Sequence, residues 1–183
     1  MRLPITKLMQ NTPHVFLSNS SFRTRGASIM VPDSLLYYLT THLKFSSSSS
    51  STQLMEIFAY DNPISSVDNS NFSKNSGTTL VYQFHNLFHQ ERLFVFVSNL
   101  RSAVICAPKT IGDLFFSSIW LEREVNEMHG ICFDKKKDLR NLMLQYGDAS
   151  APFRKSYPSI GTKEIVFDSV TDTLTQNSLS LQA

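Results

Sequence analysis

The sequence predicts an α+β domain in which a mainly antiparallel sheet packs with helices, followed by an extended C-terminal arm. Three observations predict it. Strand-length runs, alternating or uniformly apolar, fill the middle of the chain. A stretch with apolar residues at three- and four-residue spacing follows them. Strands grouped ahead of a helix, rather than interleaved with helices, favour antiparallel pairing over a βαβ repeat. At 183 residues the chain is long enough for one domain with extensions. The boundaries read as a basic N-terminal arm or transit-like segment at 1–32, the α+β domain at 33–133, and a C-terminal arm at 134–183.

Asp33 follows Pro32 and precedes Leu35, Leu36, Leu39 and Leu43, which predicts an N-cap and a helix over 34–43. The serine run 46–51 competes for backbone hydrogen bonds and buries nothing, so it reads as a loop. Leu54 to Tyr60 reads as a strand. Residues 61–77, rich in Asn, read as a long loop or insertion. From Leu80 to Phe88 the pattern alternates, with Leu80, Tyr82 and Phe84 facing one way and Gln83 and His85 the other. Leu93 to Val97 is uniformly apolar, which predicts a hairpin whose second strand is central. Residues 103–107 can add a strand. Ile111, Leu114, Phe115, Leu121, Val125 and Met128 form one helical stripe, with Thr110 placed to cap its start and Gly130 its end. Trp120 and Met128 read as core packing. Beyond Phe133 no element is evident, and the tail reads as a segment ordered by a partner.

Composition excludes several classes. The net charge of +2 is too mild to argue for nucleic acid. Cys106 and Cys132 form no metal-ligand spacing and read as buried, reduced thiols. No apolar run approaches the ~20 residues that span a bilayer. The first 32 residues hold Arg2, Lys7, Arg23 and Arg25 and no acid. That composition fits an organelle transit peptide and equally a basic arm lying on a partner. The six glycines are isolated, so no phosphate-cradling loop or nucleophile elbow is present.

Few residues suggest chemistry. His85 and His89 stand four apart, but in a strand and its turn this spacing gives no compact metal face. Glu124 and Glu127 are one helical turn apart, and paired carboxylates can act as acid and base or as di-iron ligands. A di-iron site needs ExxH pairs, and none occur. Arg123 lies between Glu122 and Glu124, which favours ion pairs within the chain or across an interface. Lys135 to Lys137 with Arg140 read as a solvated basic cluster, without the interleaved aromatics that stack bases.

The segment WLEREVNEMHGICF at 120–133, then Asp138-Leu-Arg140, Tyr146-Gly147 and PFRKSYP at 152–158, resembles the 30-kilodalton subunit of respiratory complex I, NADH:ubiquinone oxidoreductase, of mitochondrial type. Its pattern is W-x-E-R-E-x-x-D/E-M-F-G-I-x-F, then H-P-D-L-R-R, then H-P-L-R-K-D-F-P. This chain departs from it at His129 for Phe, Lys136 and Lys137 for His-Pro, Asn141 for Arg, Ala151 for His and Ser156 for Asp. The resemblance implies a non-catalytic scaffold subunit of the peripheral arm that carries no cofactor, with FMN and the iron–sulfur clusters held by other subunits. It implies docking on the large subunit that lines the quinone site, with the C-terminal arm wrapping that neighbour. Glu122, Arg123, Glu124, Glu127, Arg140, Pro152, Arg154, Lys155 and Pro158 are then the candidate partner-interface residues. It places the chain on the matrix side of the mitochondrial inner membrane or on the bacterial cytoplasmic face, the transit-like N-terminus favouring the former, without a transmembrane segment and without nucleic acid. Two rival readings are an organellar RNA- or ribosome-associated structural protein, motivated by the basic arm, and a metal hydrolase using Glu124, Glu127 and His129.

Overall fold

The computed structural model describes residues 18–21, 26–46, 52–61, 77–88, 90–100 and 107–179. Strands β1 (Ser18–Ser21), β2 (Gly26–Val31), β3 (Thr52–Asp61), β4 (Thr78–Asn86) and β5 (Glu91–Leu100) form one sheet in the order β1-β2-β5-β4-β3. The β3–β4, β4–β5 and β1–β2 pairings are antiparallel, and β2 lies parallel to β5. Helix α1 (Asp33–Phe45) connects β2 to β3, and α2 (Ser118–His129) follows the sheet. A separate two-stranded hairpin, β6 (Lys163–Asp168) with β7 (Thr173–Ser178), ends the described chain.

The sheet presents one face to the helices. Ile29 and Val31 on β2, Leu93, Val95 and Val97 on β5, and Leu80, Tyr82 and Phe84 on β4 supply alternate positions to it. Leu36, Leu39 and Leu43 of α1 close over them, joined by Val125, Ile111, Phe115, Ile131 and Phe133. Burial of this size drives the fold, since each fully covered large aliphatic contributes about 1.5–3 kcal/mol. On β3 the buried Leu54 and Ile57 stand three apart, against the two-residue period of a strand. A register shift between Leu54 and Glu56 inserts the extra residue and returns both to the core.

The hairpin strands β4 and β5, the edge strand β3 and the helix α1 stand where the sequence predicts them, and β5 is flanked by β2 and β4. Several expectations change. Gly26–Val31, assigned to the N-terminal arm, is a strand of the main sheet. Its pairing is with residues more than sixty positions away, which no local pattern reveals. Pro32 rather than Asp33 occupies the N-cap position of α1, and Asp33 opens the helix with Oδ1 accepting from the Ser34 N–H at 2.8 Å. The helix expected over 111–128 begins only at Ser118, and 111–117 forms turns. The hairpin β6–β7 lies in the tail read as lacking elements. Cys132 is exposed rather than buried. The serine run after Ser46, the loop at 62–76, the strand proposed at 103–106, Cys106 and His89 lie outside the described residues.

Candidate functional site

The charged residues singled out in the sequence converge on α2, and the structure shows what each one holds. Glu122 is fully buried. Its Oε2 accepts from Thr110 Oγ1 at 2.6 Å and from Lys136 Nζ at 2.8 Å, and its Oε1 accepts from the Ile111 N–H at 3.0 Å. In a straight helix residues 111 and 122 would lie roughly 16 Å apart along the axis. The Glu122 contacts bring them together, which is the physical reason the predicted helix breaks before Ser118. Thr110 therefore serves the carboxylate rather than capping the helix. Lys136, expected in a solvated cluster, is a buried counter-ion that also donates to the Ile119 carbonyl at 3.0 Å. Burial pushes the Tyr82 hydroxyl well above its ordinary range, and the charge of Glu122 adds to that.

One residue along, Arg123 is buried and turned toward the following segment. Its Nε donates to the Arg140 carbonyl at 2.9 Å and its Nη2 to the Asn141 carbonyl at 3.2 Å, with Asp138 at 3.9 Å. Its guanidinium also lies 5.7 Å from the centre of the Trp120 ring. Glu127, one turn further, accepts the backbone N–H groups of Leu142 at 2.7 Å, Met143 at 2.8 Å and Leu144 at 3.4 Å. A carboxylate is the natural acceptor for several backbone donors converging in a tight loop. At the end of α2, Gly130 takes the left-handed conformation with φ 67° and closes the helix through its N–H to the Asn126 carbonyl. Arg154 caps that end from outside, Nε donating to the His129 carbonyl at 2.7 Å and Nη2 to that of Gly130 at 3.2 Å. The Phe153 N–H donates to the Met128 carbonyl, and the Phe153 ring meets His129 edge-on. The Lys155 N–H donates to Asp61 Oδ2 at 3.1 Å, tying the same segment to the end of β3.

Of the nine candidate interface residues, Glu122, Arg123, Glu127 and Arg154 are thus engaged inside the chain. Arg140 is exposed and forms a two-pronged pair with Asp138 at 3.0 and 2.9 Å. That pair holds Asp138 far below the usual carboxylate range. Glu124 and Pro152 are half-buried, and Lys155 and Pro158 are exposed. Trp120, expected in the core, is 60% exposed. Neither its exposure nor that of Phe116 carries a periodic signal, because the α2 stripe places Leu121 and Val125 inward instead. Glu124, Glu127 and His129 do not converge, since Glu127 is taken up by backbone N–H groups and His129 packs against Phe153. Among the described residues no group of three or more His, Cys, Asp or Glu side chains could hold a metal ion. No helix there is long and apolar enough to cross a membrane.

Residues 29–163 match the family model described as "Respiratory-chain NADH dehydrogenase, 30 Kd subunit". A curated relative, NADH-ubiquinone oxidoreductase subunit 9 of Paramecium primaurelia, is 36% identical over 126 residues. The match takes in 67% of this chain and 57% of that relative, so the chain spans little more than half its length. Two solved structures share the fold. A chain of the archaeal membrane-bound sulfane sulfur reductase, a respiratory membrane complex, superposes with a TM-score of 0.68 at 17% identity, over 85% of this chain and 84% of that one. A trypsin-resistant fragment (1-134) of Nqo5 superposes with a TM-score of 0.57 at 18% identity, over 75% of this chain and all of the fragment.

Proposed function

Because the chain belongs to the family of the 30-kilodalton subunit of respiratory-chain NADH dehydrogenase, we propose that it is a scaffold subunit of the peripheral arm of NADH:ubiquinone oxidoreductase. It takes part in electron transfer from NADH to ubiquinone by holding neighbours in place. FMN and the iron–sulfur clusters are carried by other subunits, and this chain contributes no catalytic residue. Its principal partner is the large subunit lining the quinone site. The complex sits in the mitochondrial inner membrane, with this subunit on the matrix side.

The observation that carries the reading is the use made of the ionisable residues in the 120–158 segment. Glu122, Arg123, Glu127 and Arg154 bind backbone groups of residues 111, 140–144 and 129–130. Such groups build a shape rather than attack a substrate. What that shape leaves outward is Arg140, Lys155 and Pro158, with Glu124 and Pro152 partly covered, and these are the contacts assigned to the neighbouring subunit.

The test is a native gel of detergent-solubilised membranes, probed for this chain and stained for NADH dehydrogenase activity. The chain should run in the large NADH-oxidising band, and Glu124→Gln should lower the fraction found there without reducing the amount of chain. Migration alone or with ribosomes would overturn the reading.

A further inference from the structure

We propose that the face formed by Phe116, Trp120 and the rim of residues 135–140 is a docking site for an acidic, apolar-anchored protein segment of another subunit. This rests on the scaffold reading above and assigns it a surface that the nine candidate interface residues do not include, apart from Arg140.

Phe116 is 82% exposed and Trp120 60% exposed. They stand four residues apart, at the turn leading into α2 and in its first turn. Trp120 is the single tryptophan of the chain. A large aromatic left in water forgoes the burial it could have, and aromatic anchors beside arginine are the composition of binding hot spots. Trp120 is also held in place. The Arg123 guanidinium lies over its ring, and Arg123 is fixed from behind by the carbonyls of Arg140 and Asn141. A side chain pre-positioned in this way loses little freedom on binding.

Charge selects the partner. The segment 135–140 runs beside the first turns of α2, which carry Trp120, because Lys136 Nζ reaches the Ile119 carbonyl and Arg123, stacked on Trp120, reaches the Arg140 carbonyl. Lys136 faces inward onto Glu122. Asp138 is closed by Arg140, with Arg123 at 3.9 Å. Lys135 and Lys137 are exposed and have no carboxylate within ion-pair distance among the described residues. Along 135–140 the exposed Lys135 and Lys137 therefore leave two cations without a carboxylate partner, which attract and orient an acidic surface.

The experiment places a photo-crosslinking p-benzoylphenylalanine at Phe116 of the full chain, in cells that assemble the complex. After irradiation the product is identified by mass spectrometry. The expected result is a product with one other subunit, at a segment carrying Asp or Glu beside apolar residues. The double variant Lys135→Glu/Lys137→Glu, altering only exposed side chains, should cut its yield several-fold. A native gel of the same sample separates the two ideas. A chain absent from the NADH-oxidising band sinks the scaffold reading. A chain present in the band but giving no product, or a product with a basic surface, lipid, nucleic acid or a second copy of itself, overturns this docking site alone.

Discussion

Glu122 has no exposed surface, so its charge stands or falls by its three donors. Of these Lys136 alone supplies a compensating charge. Lys136→Met should destabilise the chain by about 3–5 kcal/mol, the cost of breaking a buried pair on one side. Adding Glu122→Gln removes the orphaned charge and should restore part of the loss, so a double-mutant cycle in guanidinium should give a favourable coupling between the two. Wild-type unfolding of the single variant would show that the pair contributes nothing. His129 makes a different prediction. Burial first, and Arg154 after it, hold its imidazole below the ordinary value, while Asp61 opposes them. The unfolded chain then takes up the proton first as pH falls. The contribution of His129 to stability is complete above about pH 6.5, declines below it, and levels off beneath the depressed folded value. Asp61 is pushed up by burial but held down overall by the Lys155 N–H and the Thr78 hydroxyl, so its own loss falls in the separate acid window near pH 4 and below. Relative to the wild type, His129→Phe should unfold at a more similar denaturant concentration at pH 8 and at pH 5. An equal pH slope in both proteins would refute this. At this scale the sequence marks which side chains carry charge but not whom they serve. Arg123, Glu127 and Arg154 find backbone atoms, and backbone partners leave no trace in residue identity.

At the scale of elements, legibility follows burial on one face. The strand at 78–86 alternates because one side meets the helices, and the strand at 91–100 is apolar over 93–97 because both its faces are covered, Leu93, Val95 and Val97 fully and Phe94 and Phe96 in part. Segment 26–31 is as well buried in its centre, yet it is short and follows Arg23 and Arg25, and its pairing partner is remote. The hairpin β6–β7 hides for the opposite reason. Ile165, Phe167 and Leu174 are exposed on it, with Phe167 opposite Leu174, and no face is covered strongly enough to impose a period. Two strands alone are marginal in water. Hydrogen exchange of the isolated chain should therefore show amides 163–178 exchanging orders of magnitude faster than those of β4 and β5. Comparable protection in both would mean that the hairpin has support within the chain beyond the Thr162–Leu179 bond.

For the molecule as a whole the question is where the folded unit ends. Hydrophobic pattern stops at Phe133, and a boundary drawn there makes everything after it an arm. The hydrogen bonds place the end later. Lys136 neutralises Glu122, residues 140–144 satisfy Arg123 and Glu127, and residues 153–155 close the end of α2 and reach Asp61. A chain ending at 133 would leave two buried carboxylates and a buried guanidinium on α2 without these partners. Each costs at least about 1–3 kcal/mol, against a total stability of about 5–15 kcal/mol for a domain. A chain ending at 162 loses only the hairpin. Residues 1–162 should therefore unfold in urea within about 1 kcal/mol of the full chain, while 1–133 should show no cooperative transition or one at much lower urea. Cooperative unfolding of 1–133 at the full-length midpoint would return residues 134–162 to the status of an arm. The opposite result would make them the outer wall of the domain, held by the charged side of α2 as the sheet is held by its apolar side.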